Sequence, residues 1–135
     1  SDKLPQTDGK KEQIILATVE GDIHDIGKNI VKVLLQSYGY DVIDLGKDVK
    51  PEAVVAAARE TGATLVCLSA LMTTTLDAMA KTVALLKKEL PHVRTMVGGA
   101  VLTQEYADQI GADYYAKDAM GSVRCADEIC SLYYG

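Results

Sequence analysis

The stretch that decides the fold is "QIILATVEGDIHDIGKNIVKVLLQSYG", residues 13–39. Its first part, "QIILATV", is a short continuous apolar run, the pattern of a parallel strand covered on both faces. A polar loop follows and sets His24 between Asp22 and Asp25. Residues 27–38 then place Ile30, Val33, Leu34 and Tyr38 at the spacing of one helical face. A strand that empties through a loop into a helix is one βα unit.

The same alternation recurs along the chain. "YDVIDLG" predicts a second strand, and Pro51 with Glu52 opens a helix that ends near Gly62. "TLVCLSA" is the third strand. Helix three is expected from about Thr75 to Leu90, with Leu76, Met79, Val83 and Leu86 along one face. Thr74 and Asp77 resemble a capping box at its start. "VRTMVGG" is strand four, Thr103 caps helix four, and Gly111 closes it. "ADYYAK" is a short fifth strand, and Asp118 caps a last helix that runs to about Tyr133. Five βα units imply an α/β fold: a doubly wound, five-stranded parallel sheet of Rossmann-like, flavodoxin-like type with strand order 2-1-3-4-5. Residues 1–12 read as a linker and 13–135 as one domain.

Composition narrows the function. With no Trp or Phe and seven Tyr among 135 residues, the core must be aliphatic. A net charge of -5 with scattered Lys and Arg argues against nucleic acid and against an anionic membrane surface. No apolar run approaches the roughly 20 residues of a membrane span. Cys67, Cys125 and Cys130 form no C-x-x-C pair and are odd in number, so reduced thiols in a cytoplasmic protein are expected. Cys67, inside "LVCLS", reads as a small buried hydrophobe rather than a zinc ligand.

In sheets of this order, ligands bind outside the carboxyl ends of the strands, at the switch point between strands one and three. The loop after strand one carries His24, the loop after strand three carries "SALMTTT", and the loop after strand four is "GGA". A dinucleotide would need G-x-G-x-x-G after strand one, which "EGDIHDIGKN" lacks. A P-loop is absent despite Gly27-Lys28. A phosphorylated receiver domain would need an aspartate at the end of strand three, where Ser69 stands. What remains is an imidazole with a carboxylate two residues away. A metal-bound imidazole commonly gives its other ring N–H to such a group. His92 lies at the far end of helix three and reads as a surface residue. One protein ligand cannot hold a bare transition ion, but it can supply the axial ligand of a metal already held in a macrocycle. Gly98 and Gly99 would let backbone approach a flat group, and Ser69 offers it a hydroxyl.

At this point the sequence resembles the cobalamin-binding domains of corrinoid-dependent methyltransferases, over about residues 12–131. The motif D-x-H-x-x-G stands as Asp22-Ile23-His24-Asp25-Ile26-Gly27, S-x-L as Ser69-Ala70-Leu71, and G-G as Gly98-Gly99. The resemblance implies cobalamin with His24 as lower cobalt ligand in place of the cofactor's own dimethylbenzimidazole. The displaced nucleotide tail would enter a pocket lined by Ser69, Leu71, Gly98 and Gly99, beside Ala100. Asp22 would hold His24, Thr75 would extend that relay, and Thr73 would stand near the tail. Ala116 and Asp118, in "AKDA", would edge the nucleotide site. The implied activity is methyl carriage, cob(I)alamin taking a methyl group and methylcobalamin giving it up, with cob(II)alamin as the oxidised form.

Partners that the resemblance implies are subunits or domains for the methyl donor and for an acceptor such as a thiol or tetrahydrofolate. A reductive activase is a further one. The chain is not catalytic without them. Family members usually carry a helical bundle that caps the cofactor just before this domain. About twelve linker residues stand here, so either the bundle was removed or a partner supplies the cover. Two other readings stay open. Adenosylcobalamin-dependent mutases share the motif but commonly read D-G-H-D-R-G, where this chain has Ile23 and Ile26. A cobalamin-sensing regulator would need a DNA-binding element or basic surface that is not seen.

Overall fold

The five apolar runs form one parallel sheet in the computed structural model, which describes residues 13–24 and 26–134, the side chains of 130–134 excepted. The expected linker, residues 1–12, lies outside the described residues. The strands are β1 (Gln13–Thr18), β2 (Asp41–Asp44), β3 (Leu65–Ser69), β4 (Arg94–Gly98) and β5 (Tyr114–Ala116). Their order is β2-β1-β3-β4-β5, as expected. The helices are α1 (Ile26–Ser37), α2 (Pro51–Thr61), α3 (Leu76–Glu89), α4 (Gln104–Ile110) and α5 (Ala119–Tyr134).

Two aliphatic cores lie on the two faces of the sheet. Ile15, Val66 and Val97 point to one and pack with Val54, Met79 and Val83 of α2 and α3. Ile14, Leu16 and Met96 point to the other and pack with Leu35 of α1 and Ile129 of α5. Strand residues thus alternate between two buried faces, which is why these runs are apolar throughout. Register places Thr18 beside Ser69, Ser69 beside Gly98, and Gly98 beside Ala116. One row across the sheet's carboxyl edge therefore carries most of the loops singled out above.

Helix ends follow local chemistry. Gly62 and Gly111 end α2 and α4 in the left-handed conformation, and Thr103 Oγ1 accepts from the Tyr106 amide. Asp118 Oδ1 accepts from Gly121 N at 2.7 Å at the start of α5. Two expectations fail. Thr74 and Asp77 form no capping box: a 3-10 turn, Thr73–Thr75, precedes α3, whose N-cap Thr75 makes no side-chain cap bond. The Thr75 hydroxyl is drawn instead to Met72 O (2.7 Å) and to Asp22 Oδ2 (3.2 Å).

The second concerns α1, whose inner face is not the one that the spacing picked out. Leu35 and Lys28 are buried, while Ile30, Val33 and Tyr38 are exposed and Leu34 is half-buried. The helix carries two apolar stripes, and the one through Val31 and Leu35 packs on the sheet. Burying Leu35 contributes about 1.5–3 kcal/mol. Among the described residues, no helix is long and apolar enough to cross a membrane.

Candidate functional site

The loop after β1 turns back on itself at Gly21, whose φ of 89° suits a residue without a side chain. It is braced from below: Gly21 N donates to Asp48 Oδ1 at 2.7 Å, and Asp48 N donates to Asp22 O at 3.0 Å. This brings the Asp22 side chain inside, fully buried. Its Oδ1 accepts from His24 N (3.0 Å) and from His24 Nδ1 (2.9 Å). Its Oδ2 accepts from Leu71 N (2.7 Å), Met72 N (3.3 Å) and Thr75 Oγ1 (3.2 Å). One carboxylate thus ties the loop after β1 to the loop after β3. Burial alone would raise the Asp22 pKa, but the amides of His24, Leu71 and Met72 and the His24 ring outweigh it and lower it to about 2.

An ionised Asp22 requires His24 Nδ1 to carry the proton, which leaves Nε2 with its lone pair as the ring nitrogen for a metal. The His24 side chain is 52% exposed, while that of Asp22 is fully buried. Thr75 completes the chain His24–Asp22–Thr75. A Cβ at Gly21 would stand 3.3 Å from the Thr75 methyl carbon, so the small residue at 21 makes room for that methyl group.

Beside His24 a cavity of about 380 Å³ opens between α1, α5 and the carboxyl ends of the strands. That volume lies in the range of small-molecule sites. His24, Gly27, Ser69 and Leu71 line it on one side. Gly98, Gly99, Ala100, Ala116 and Asp118 line it on the other. Asp22, Ile23, Ile26, Thr73 and Thr75 do not line it. Asp22 and Thr75 stand behind His24, and Ile23, Ile26 and Thr73 are exposed. Asp25 lies outside the described residues.

The glycines divide by their reasons. A Cβ at Gly99, where φ is 138°, would lie 1.9 Å from Ala70 O, and one at Gly98 would lie 3.2 Å from Ala116 O. Neighbouring backbone requires a glycine at 99 and crowds the position at 98, and both residues also line the cavity. Gly27 is the reverse case. It has ordinary φ, and no protein atom lies within 4 Å of an added Cβ, so no packing inside the chain calls for a glycine there. The open space before it belongs to the cavity.

Sequence reasoning missed Lys28, Cys67, Met96 and Ser122 in the cavity wall. Lys28 is a buried cation whose Nζ donates to Asp44 Oδ1 at 2.5 Å, and Lys32 Nζ stands 3.6 Å from Asp44 Oδ2. The lysines, together with the Gly46 amide, lower the Asp44 pKa against the effect of burial. The available signal was Asp44 itself, an acid at the end of strand two. Cys67 is a thiol whose pKa burial pushes up, so it acts as a hydrophobe. Among the described residues, no group of three His, Cys, Asp or Glu side chains could hold a metal ion. The donor set is one imidazole, which fits a metal already chelated in a flat macrocycle and not a bare ion.

The model of the B12 binding domain family matches residues 12–124. Dimethylamine corrinoid protein 3 of Methanosarcina acetivorans is 48% identical over 129 residues, which cover 93% of this chain and 61% of that protein. The chain therefore spans about three fifths of the length of this relative. In the methanol:cobalamin methyltransferase complex MtaBC of Methanosarcina barkeri, a chain superposes with a TM-score of 0.87 at 35% identity, over 90% of this chain and 47% of that one. The receiver domain of a Francisella response regulator also superposes, with a TM-score of 0.70 over 91% of this chain and 99% of that one, but at 10% identity, which shows the fold alone.

Proposed function

The chain belongs to the B12 binding domain family, and from that premise we propose that it holds cobalamin through His24 and serves as a methyl carrier in a methyltransferase system. One observation carries the reading: an exposed imidazole whose Nδ1 is held by a buried, fully bonded carboxylate lines a cavity at the carboxyl ends of the strands. Bound cobalt would supply the methyl-accepting and methyl-donating chemistry. The protein's part is to orient His24 Nε2, to keep the Nδ1 proton on the Asp22 side, and to exclude water from the cavity that takes the nucleotide tail. Ser69, with a hydroxyl at the cavity wall, would bond that tail's polar edge. Residues 13–135 would act as one cobalamin-binding unit after a linker at 1–12.

Relatives of this chain include a corrinoid protein and a chain of a methyltransferase complex, which supports partners that bring the methyl donor and acceptor. A reductive activase and a separate helical cap over the cofactor belong to the same proposal. So does a cytoplasmic setting, which suits the buried, reduced Cys67.

Electron paramagnetic resonance of the cob(II)alamin form tests the ligand. Protein labelled with ¹⁵N should show nitrogen coupling at cobalt, and His24→Ala should lose it while keeping some binding through the tail. Coupling that survives in His24→Ala would sink the assignment. Gly27→Leu tests the cavity separately. It replaces a glycine with a better helix former where nothing obstructs the side chain, so the unfolding midpoint should not fall. The overfilled cavity should bind cobalamin at least about tenfold more weakly, an effect of about 1–3 kcal/mol. Unchanged affinity would argue that no ligand passes Gly27.

A further inference from the structure

Thr18, the last residue of β1, has no exposed surface, yet its hydroxyl sits between the two halves of the site. Thr18 Oγ1 is 3.1 Å from Ser69 Oγ, on the cavity wall, and 3.4 Å from the carbonyl oxygen of His24, in the ligand loop. The Thr18 backbone is held to the segment after β2, its amide donating to Gly46 O and its carbonyl accepting from Val49 N. The hydroxyl is thus a fixed point against which the neighbouring loops can move.

Counting protons shows what this arrangement does. Three oxygens share two hydroxyl protons, since a hydroxyl donates once and a carbonyl not at all. Both bonds form in one order only: Ser69 donates to Thr18, and Thr18 donates to the His24 carbonyl, an order that water donating to Ser69 leaves intact. An acceptor atom in the cavity that takes the Ser69 proton reverses the chain. The one Thr18 proton can then go to Ser69 Oγ, the nearer acceptor at 3.1 Å, at the expense of the His24 carbonyl at 3.4 Å. A benzimidazole nitrogen that has left cobalt is such an acceptor, because it carries a lone pair.

We infer that Thr18 is a positioning residue that makes ligation by His24 conditional on what fills the tail cavity. Without a tail base the His24 backbone stays bonded to β1, and a tail base, which only accepts from Ser69, releases it toward the metal. The inference rests on the cobalamin reading above and deepens it by adding an order of events: base into the cavity first, imidazole onto cobalt second. A tail-less corrinoid leaves the switch in its restraining position.

The test compares cob(II)alamin with tail-less cob(II)inamide on wild type, Thr18→Val, Thr18→Ser and Ser69→Ala. For each bound corrinoid, electron paramagnetic resonance of ¹⁵N-labelled protein gives the ratio of His-ligated to unligated cobalt. Dividing the cobalamin value by the cobinamide value isolates the effect of the tail. That quotient should fall about fivefold in Thr18→Val, the factor carried by one hydrogen bond of ordinary net strength. Thr18→Ser, which keeps the hydroxyl, should retain the wild-type quotient. Ser69→Ala should lower it as Thr18→Val does, and it decides the matter if the valine variant does not fold. A quotient equal in wild type and Thr18→Val, or lost equally in Thr18→Ser, would overturn the inference and leave the cobalamin reading standing. Absence of protein-nitrogen coupling from wild type with both corrinoids would overturn the cobalamin reading and this inference with it.

Discussion

Gly99→Ala is expected to cost about 2–6 kcal/mol, enough to unfold much of the population of a domain whose total stability is about 5–15 kcal/mol. Two penalties add. The first is a φ of 138°, which a residue with a side chain rarely adopts and which costs about 1–3 kcal/mol. The second is a contact of 1.9 Å between the new Cβ and the Ala70 carbonyl oxygen. No rotamer relieves it, so the backbone of β3 or β4 must move, at about 1–3 kcal/mol more. Urea denaturation followed by circular dichroism gives the difference directly. A loss below about 1 kcal/mol would show that the loops after β3 and β4 part easily, and the cavity wall they form would then not be rigid.

Asp22→Asn should be nearly as damaging, by about 3–5 kcal/mol, although it changes one atom. Five donors converge on the carboxylate, and an amide offers them one oxygen and turns an NH₂ group toward the rest. Buried donors left without acceptors cost about 1–3 kcal/mol each before the loop relaxes. The pH dependence carries the same signature. The Asp22 pKa falls from an ordinary 3.8 to about 2 on folding, so the folded state binds the proton less readily than the unfolded state. Its stabilising contribution is complete above about pH 4 and is lost as pH falls from there through about 2. The shift corresponds to about 2–3 kcal/mol. Stability of the ligand-free protein between pH 5 and pH 2 should therefore drop in wild type, and the drop should be shallower by that amount in Asp22→Asn. Parallel curves would mean that Asp22 is not the buried anion described above.

Asp22 and His24 were readable because they share one loop two residues apart, and local chemistry alone suggests their pairing. The doubly wound parallel sheet was equally legible, since each strand is a short apolar run and each connection is long enough for a crossover helix, though alternation alone does not choose the strand order. Thr75 could be joined to them only through the family motif, because 53 residues separate it from Asp22 and the fold brings them together. What escaped was decided by neighbours that periodicity cannot see. Helix α1 has apolar residues on both sides, so spacing could not say that Leu35 and Lys28 face inward. The Thr74 cap failed because Thr73–Thr75 form a 3-10 turn that puts Thr75 at the N-cap, where its hydroxyl bonds to Met72 O and Asp22 Oδ2 and not to the helix amides. The backbone constraint on Gly99 could not be read from sequence, because the Ala70 carbonyl that imposes it lies 29 positions earlier, just beyond β3.

The two outermost strands have a consequence for how this molecule behaves in a crowd. Every open sheet ends in rows of unpaired backbone groups that invite a strand from another molecule. Here those ends are β2, four residues long, and β5, three residues long. Asp41 and Asp44 bound the first, and Asp113 and Lys117 flank the second. Neither end offers enough flat, apolar length to template a growing fibre, and charge stands at both limits of each. The long central strands β1, β3 and β4, whose apolar runs would be the aggregation-prone ones, are each paired on both sides. A chain that is 48% hydrophobic can therefore expose its binding edge to solvent without exposing a strand that other copies could extend.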